Sequence, residues 1–298
     1  MYTFFTHRTR TCTAAHTTAC SGGAFVLLAA ATFMVGCASK PEAPVLRPLS
    51  DSVVAATSAR LALLLPADVL LLGEQHDAPE HQHMEQQVVA VLAQRGLLAA
   101  LVLEMADSGG TTAALHPSST EQQTQSALRW KTRQWPWEAY GPVVMTAVRA
   151  GVPVLGGNLP QAAMQAAMAD KALDGQLSGP ALKAQQQLIR VGHCDLLPES
   201  QITPMTRIQI AKDISMANTL AQTALPGKVV VFLSGSGHTD RLLGVPQHLP
   251  PTLKAQAVRL RAGDAASGDK AEAFDAVWAT PALPEKDYCA DFKAQMGK

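Results

Sequence analysis

The chain has 298 residues, carries 24 Lys and Arg against 24 Asp and Glu, and is 47% hydrophobic. That balance excludes a highly charged disordered chain. With no basic tract, it also argues against nucleic acid as a partner.

The first segment reads as a targeting signal. Arg8 and Arg10 precede an apolar run over 24–35, and no acidic residue occurs before Cys37. The run is shorter than the roughly 20 residues that span a bilayer. A basic start, a short apolar stretch and small residues before a cut form the signal-peptide pattern. Met34-Val35-Gly36-Cys37 resembles a bacterial lipobox, with Met34 where leucine is usual. We therefore expect a signal peptide over 1–36 and acylation, palmitate included, at Cys37. Two acyl chains anchor a protein stably where one does not. Ala38, in place of aspartate, points to the bacterial outer membrane. Residues 37–59, with Pro41, Pro44 and Pro48, are expected to be an extended tether, and 60–298 one globular domain. Removing Arg8 and Arg10 leaves 22 basic against 24 acidic residues. Cys194 and Cys289 are the cysteines left after the anchor. An oxidising compartment favours a disulfide between them over two separate thiols, and the bridge would pin the carboxyl-terminal tail.

From residue 60 onward, apolar runs alternate with helical patterns. Continuous apolar strands are expected at 67–72, 98–103, 152–155, 228–233, 257–260 and 273–278, the pattern of strands buried on both faces of a parallel sheet. A helix over 79–94 begins at Pro79, ends near Gly96, and carries Met84, Val88, Val91 and Leu92 as its apolar stripe. Residues 107–125, rich in Ser, Thr, Gly and Gln, are expected to form a mobile loop or lid. The segment 130–142 holds three of the four tryptophans together with Tyr140. It offers either flat surface to a large ligand or a packed aromatic corner. Alanine- and glutamine-rich stretches at 161–169 and 181–188 read as an inserted helical hairpin, split by Gly175 and Gly179. A further helix is expected over 204–220, with Thr203 as cap and Pro204 in first position. The alternation implies an α/β fold with a mostly parallel sheet flanked by helices.

The expected strands end in polar residues. The first leads into Gly73-Glu74-Gln75-His76-Asp77, the second into Glu104-Met105, the third into Gly156-Gly157-Asn158, and the fourth into Ser234-Gly235-Ser236-Gly237-His238. Ligands of open parallel sheets bind at the carboxyl ends of the strands. Glu74, His76, Glu104, Asn158 and His238 are therefore expected on one rim, although any one of them alone reads as a strand-end cap. His81 heads the inward face of the first helix and could reach the same crevice. His83 reads as solvated, and Met164 and Met168 read as core.

These motifs together resemble the ChaN-like haem-binding lipoprotein family. They are Leu72-Gly73-Glu74-Gln75-His76-Asp77 with His81, the segment 135–140, Gly157-Asn158-Leu159-Pro160, and Gly192-His193-Cys194. The series Met205, Gln209, Asp213, Met216 and Ala217, then Gly235-Ser236-Gly237-His238 and Asp287-Tyr288-Cys289, complete the pattern. The likeness covers about 60–290, within a wider group similar to the erythromycin-esterase and Tiki/TraB proteins. It implies a surface lipoprotein that binds haem in iron acquisition, with two haems stacked cofacially between the subunits of a homodimer. It implies iron ligation by Tyr140, a hard anionic donor suited to ferric iron. His76 and His238 would bond the propionates or the phenolate, or supply a second axial ligand. Glu74, His81, Glu104 and Asn158 would complete the haem site, and Tyr288, beside the expected bridge, fits less well. A second reading is a metal-dependent hydrolase holding a divalent metal through Glu74, His76, Glu104 and His238. No His-Glu-x-x-His helix or Gly-x-Ser-x-Gly elbow accompanies those residues. A third reading is a partner-binding lipoprotein with a vestigial site.

Overall fold

A computed structural model describes residues 49–264 and 272–296. The signal peptide, Cys37 and most of the tether lie outside the described residues. The segment 51–59, expected in the tether, belongs to helix α1 (Asp51–Ala62), which Ser50 caps through the Val53 N–H.

The chain continues through β1 (Val69–Glu74), α2 (Pro79–Gln94), β2 (Leu98–Asp107), α3 (Glu121–Ala127), α4 (Trp137–Arg149) and β3 (Val154–Asn158). It then forms α5 (Gln161–Ala169), α6 (Gly179–Gly192), α7 (Glu199–Thr223), β4 (Val229–Gly235) and the single turn α8 (Ser236–Thr239). β5 (Ala255–Ala262), β6 (Ala276–Thr280) and α9 (Tyr288–Met296) complete it. Among the described residues, six strands form one all-parallel sheet in the order β3-β2-β4-β1-β5-β6. The fold is α/β, as the alternation of apolar runs and helical patterns requires. No helix among the described residues is long and apolar enough to cross a membrane.

Strand parity divides the core into two layers. Leu70, Leu72, Leu101, Leu103, Val231 and Leu233 pack with side chains of α1, α2 and α4. Their alternates Val69, Leu71, Ala100, Val102, Val230 and Phe232 pack with Met216, Ala217 and Leu220 of α7. Successive strand residues point to opposite faces, so every central strand is apolar on both sides. The inserted hairpin α5–α6 is present, joined by a 3-10 turn over Lys171–Gly175, and it packs on α7 around Ile210.

Two expectations change. The connection at 107–125 is tied down rather than free. Thr112 Oγ1 accepts from the Val154 N–H at 2.9 Å, and Arg149 donates to the carbonyls of Pro117 and Ser119, each at 2.6 Å. Thr120 and Gln123 form a capping box that starts α3. Its polar side chains serve as caps and backbone partners, a role Ser and Thr fill as readily as they fill loops. Helix α7 starts at Glu199 rather than Pro204, so Thr203 is not its cap and Pro204 lies in the second turn. Pro198 is the residue that precedes the helix.

Candidate functional site

The rim forms where β2, β4 and β1 run side by side. Glu74 at the end of β1 lies level with Gly235 at the end of β4. The chain leaves β1 toward β2 on one side and leaves β4 toward β5 on the other, which makes this the switch point where open α/β sheets bind ligands. Gly73 and Gly235 permit the crowding. A Cβ on Gly73 would lie 2.8 Å from Ser236 Cα, and one on Gly235 would lie 2.9 Å from His76 Nε2.

Glu74 shares the parity of Leu70 and Leu72 and therefore opens toward α2 and α4. Its Oε1 accepts from the Tyr140 hydroxyl at 2.6 Å and from His76 Nδ1 at 2.8 Å. Tyr140 comes from α4 and is 1% exposed. Burial, then the charge and hydrogen bond of Glu74, push its phenol far above the usual tyrosine range. Trp135 stands edge-on to both rings, with centroids 4.8 Å from His76 and 5.9 Å from Tyr140. Trp130 lies 6.1 Å from Tyr140 and donates its indole N–H to the Trp135 carbonyl. The aromatic segment is thus both a packed corner around Tyr140 and, through half-buried Trp130 and Trp135, a flat border to the rim.

Glu104 has the parity of Ala100 and Val102 and opens toward α7. Its Oε2 accepts from the Gly235 N–H at 2.8 Å, and its Oε1 lies 3.4 Å from His238 Nε2. His238 Nδ1 lies 2.5 Å from Asp213 Oδ1 on α7, with the Gln209 amide 3.0 Å away. Burial alone would lower the His238 pKa, but the charges of Glu104 and Asp213 raise it to about 10. Burial raises Asp213 to about 6 against the pull of His238. Burial likewise works against ionised Glu104, but His238 and then His76 hold its carboxyl well below the usual range. Lys212, 2% exposed, adds a second buried cation whose pKa burial lowers to about 8.

His76 joins the two halves. Its Nδ1 meets Glu74, its Nε2 lies 3.7 Å from Glu104 Oε2, and its side chain is 32% exposed. Burial opposes its protonation, but the Glu74 hydrogen bond and the charges of Glu104 and Glu74 raise its pKa overall. The structure thus brings Glu74, His76, Glu104, His238 and Tyr140 into one network, with His76 the member open to solvent and Tyr140 beneath it. Asn158 lies beside the network but is engaged with backbone. Its amide donates to the Glu104 carbonyl at 2.9 Å and accepts from the Leu159 N–H. His81 is fully buried, and its Nδ1 accepts from the Gln75 N–H at 3.0 Å, fixing the turn that carries His76. His193 lies elsewhere, against Phe292 and beside the Cys194–Cys289 disulfide, whose Cα atoms are 5.6 Å apart. That bridge secures α9, from which Tyr288, 39% exposed, donates to Asp77 Oδ2 at 2.8 Å. Among the described residues, no group of three or more His, Cys, Asp or Glu is arranged to hold a metal ion.

Strand ends alone do not reveal Glu85, Asp213 and Lys212. The first two had a signal in the sequence. Glu85 precedes Val88, Val89 and Leu92 at helical spacing, and Asp213 precedes Met216, Ala217 and Leu220 in the same way, so each carboxylate heads an inward stripe.

A family model described as haem-binding uptake, Tiki superfamily, ChaN matches residues 61–249. Among solved structures, the ChaN of Campylobacter jejuni, described for cofacial heme binding, is 24% identical at a TM-score of 0.61. The match covers 74% of this chain and 90% of that one. The type III effector HopBA1 is a weaker likeness, 14% identical at a TM-score of 0.44, over 80% of this chain and 98% of that one. No curated protein matches the chain. With the family model spanning most of the sheet and every strand-end residue of the rim, the chain belongs to the ChaN family of haem-binding uptake proteins.

Proposed function

We propose that the protein binds haem at this rim, with the Tyr140–Glu74–His76 group as its iron-facing side. The observation that carries the reading is the pairing of a half-buried imidazole with a buried phenol on the same Glu74 oxygen, bordered by two half-buried indoles. Phenolate and imidazole are both established haem-iron donors, and flat indoles suit a planar macrocycle. His76 is the donor that solvent reaches, and Tyr140 is the anionic donor the site holds in reserve. His238, fixed between Glu104 and Asp213, supports the rim from behind. Bound haem would supply a ferric centre and two propionates. The protein supplies orientation, a dry aromatic border and control of the donor protons.

In this reading the chain is a lipoprotein held through Cys37, at the outer membrane, and serves in haem and iron acquisition. The ChaN of Campylobacter jejuni binds heme cofacially, and we extend that arrangement to a homodimer of this chain closing over a haem pair. The metal-dependent hydrolase reading finds less support, because the carboxylates that would ligate the metal are already engaged by Tyr140, His238 and the Gly235 N–H.

A haem titration of the purified chain, followed in the Soret region and by size-exclusion, tests the reading. Saturation with a shift to a dimer is expected. A high-spin ferric spectrum lost in Tyr140→Phe assigns the phenolate as ligand, and a spectrum lost in His76→Ala assigns the imidazole. A spectrum unchanged in both variants, or no saturable band, would overturn the site.

A further inference from the structure

Helix α9 is too small to hold its own place. It has nine residues, and helices shorter than about 12–15 residues are marginal in water. Asp287 caps it, accepting from the Cys289 N–H at 3.0 Å and the Ala290 N–H at 2.9 Å. Among its described side chains only Phe292 is buried, with its ring 5.8 Å from that of His193. The Cys194–Cys289 bond is therefore the main tie of α9, and it joins the first turn of the helix to the loop between α6 and α7.

The same turn reaches the rim. Tyr288, beside Cys289, donates to Asp77 Oδ2 at 2.8 Å across 211 positions of sequence. The Lys286 ammonium lies 4.0 Å from the same oxygen and 4.9 Å from the centre of the Tyr288 ring. Asp77 directly follows His76. Bonds to the backbone of this turn come from within it and from α2. The Gln75 N–H donates to His81 Nδ1, the Ala78 N–H to the Gln75 carbonyl, and Gln82 Nε2 to the His76 carbonyl. Helix α9 adds a tie from the far end of the chain. The loop at the other end of that tie is strained, because Cys194 and Asp195 have consecutive positive φ angles of 56° and 55°. Residues other than glycine keep such backbone only where the surrounding structure enforces it. Both cysteines are half-buried, within reach of a thiol.

We propose that segment 286–292 is a redox-releasable strap. With the bridge closed, Tyr288 and Lys286 hold the His76 turn and slow the exit of bound haem. Reduction by a dithiol frees α9 and speeds that exit. One thiolate of the dithiol attacks a cysteine sulfur, the S–S bond breaks, and the second thiol resolves the mixed disulfide. Cys194 and Cys289 together gain two electrons and two protons, and the dithiol becomes a disulfide. Tyr288 is a positioning residue that acts through Asp77. The effect on haem rests on the haem reading; the hold on the turn does not.

The test uses the full chain as wild type, Tyr288→Phe and the double variant Cys194→Ser/Cys289→Ser, with and without dithiothreitol. In the ligand-free chain, hydrogen exchange is followed in a peptide spanning 75–78. Dithiothreitol should speed it at least about fivefold in wild type, and Tyr288→Phe, which keeps the bridge, should do the same without dithiothreitol. Exchange over β2 and β4 should stay at the oxidised wild-type rate, which separates release of the strap from loss of the fold. In the haem-loaded chain, transfer of haem to excess apomyoglobin should become at least about fivefold faster on reduction. The double serine variant should release haem at that faster rate with or without dithiothreitol, which sets aside any action of the thiol on haem iron. Exchange at 75–78 that reduction or Tyr288→Phe leaves unchanged would overturn the strap. Equal haem transfer from the oxidised wild type and the double serine variant would overturn its control of haem. Failure of wild type to bind haem would overturn the haem reading alone, because the exchange results are read without it.

Discussion

His238 offers the sharpest test of the electrostatics on the α7 side of the rim. It is 6% exposed and lies between Asp213 Oδ1 at 2.5 Å and Glu104 Oε1 at 3.4 Å. Its pKa of about 10 stands above an unfolded value of about 6.5. A group whose folded pKa is raised contributes stability that is complete below the unfolded value and is lost as pH rises through the folded one. For His238 that window runs from about pH 6.5 to about pH 10. At about 1.36 kcal/mol per unit, the contribution is on the order of 3–5 kcal/mol, the range found when one partner of a buried ion pair is removed. His238→Leu should therefore lose about 3–5 kcal/mol at pH 7, because Glu104 and Asp213 remain buried without their cation. The loss should shrink toward pH 9, where wild type has begun to give up the same contribution. Urea unfolding at pH 6, 7, 8 and 9 reads both effects. A penalty below about 1 kcal/mol at pH 7, or one that does not change with pH, would refute a charged His238.

Two further perturbations bear on other parts of the structure. The Cys194–Cys289 disulfide closes a 95-residue separation, and the chain-entropy model gives such a loop about 4–5 kcal/mol. Replacing both cysteines with serine should lower stability toward that extent, and limited proteolysis should then release the carboxyl-terminal segment first. An alanine at Gly235 meets the movable end of the His76 side chain, whereas an alanine at Gly73 meets the backbone of Ser236. Gly73→Ala should cost about 1–3 kcal/mol as an overpacked site. Gly235→Ala should cost less in thermal denaturation but weaken haem binding by displacing His76, and the reverse order would refute this account of the crowding.

Much of the fold was legible because a parallel sheet leaves a plain mark. Runs such as Val69-Leu70-Leu71-Leu72 and Val230-Val231-Phe232-Leu233 are apolar at every position only if both faces are covered. Helix α2 announced both ends through Pro79 and Gly96. Helix α7 did not, because two prolines compete for its start. The second falls where its ring removes only one early hydrogen bond, so the helix tolerates it, and Pro198 precedes the true first turn. The loop at 107–125 misled because its Ser and Thr residues read the same whether they cap a helix or stay solvated, and only tertiary partners such as Arg149 decide between the two.

The rim was legible in its strand-end residues but not in its division. Reading outward from strand ends finds Glu74 and Glu104 as two carboxylates of one crevice. Parity, visible once strand registers are known, sends them to opposite faces. On the α2–α4 side, Glu74 accepts from the Tyr140 hydroxyl, and burial raises the Glu85 carboxyl well above its usual range. On the α7 side, Glu104 and Asp213 are matched by His238 and Lys212. His76 touches both with different ring nitrogens. A single strand-end histidine can report on a phenol in one layer and an ion pair in the other because the sheet that separates those layers ends beneath it.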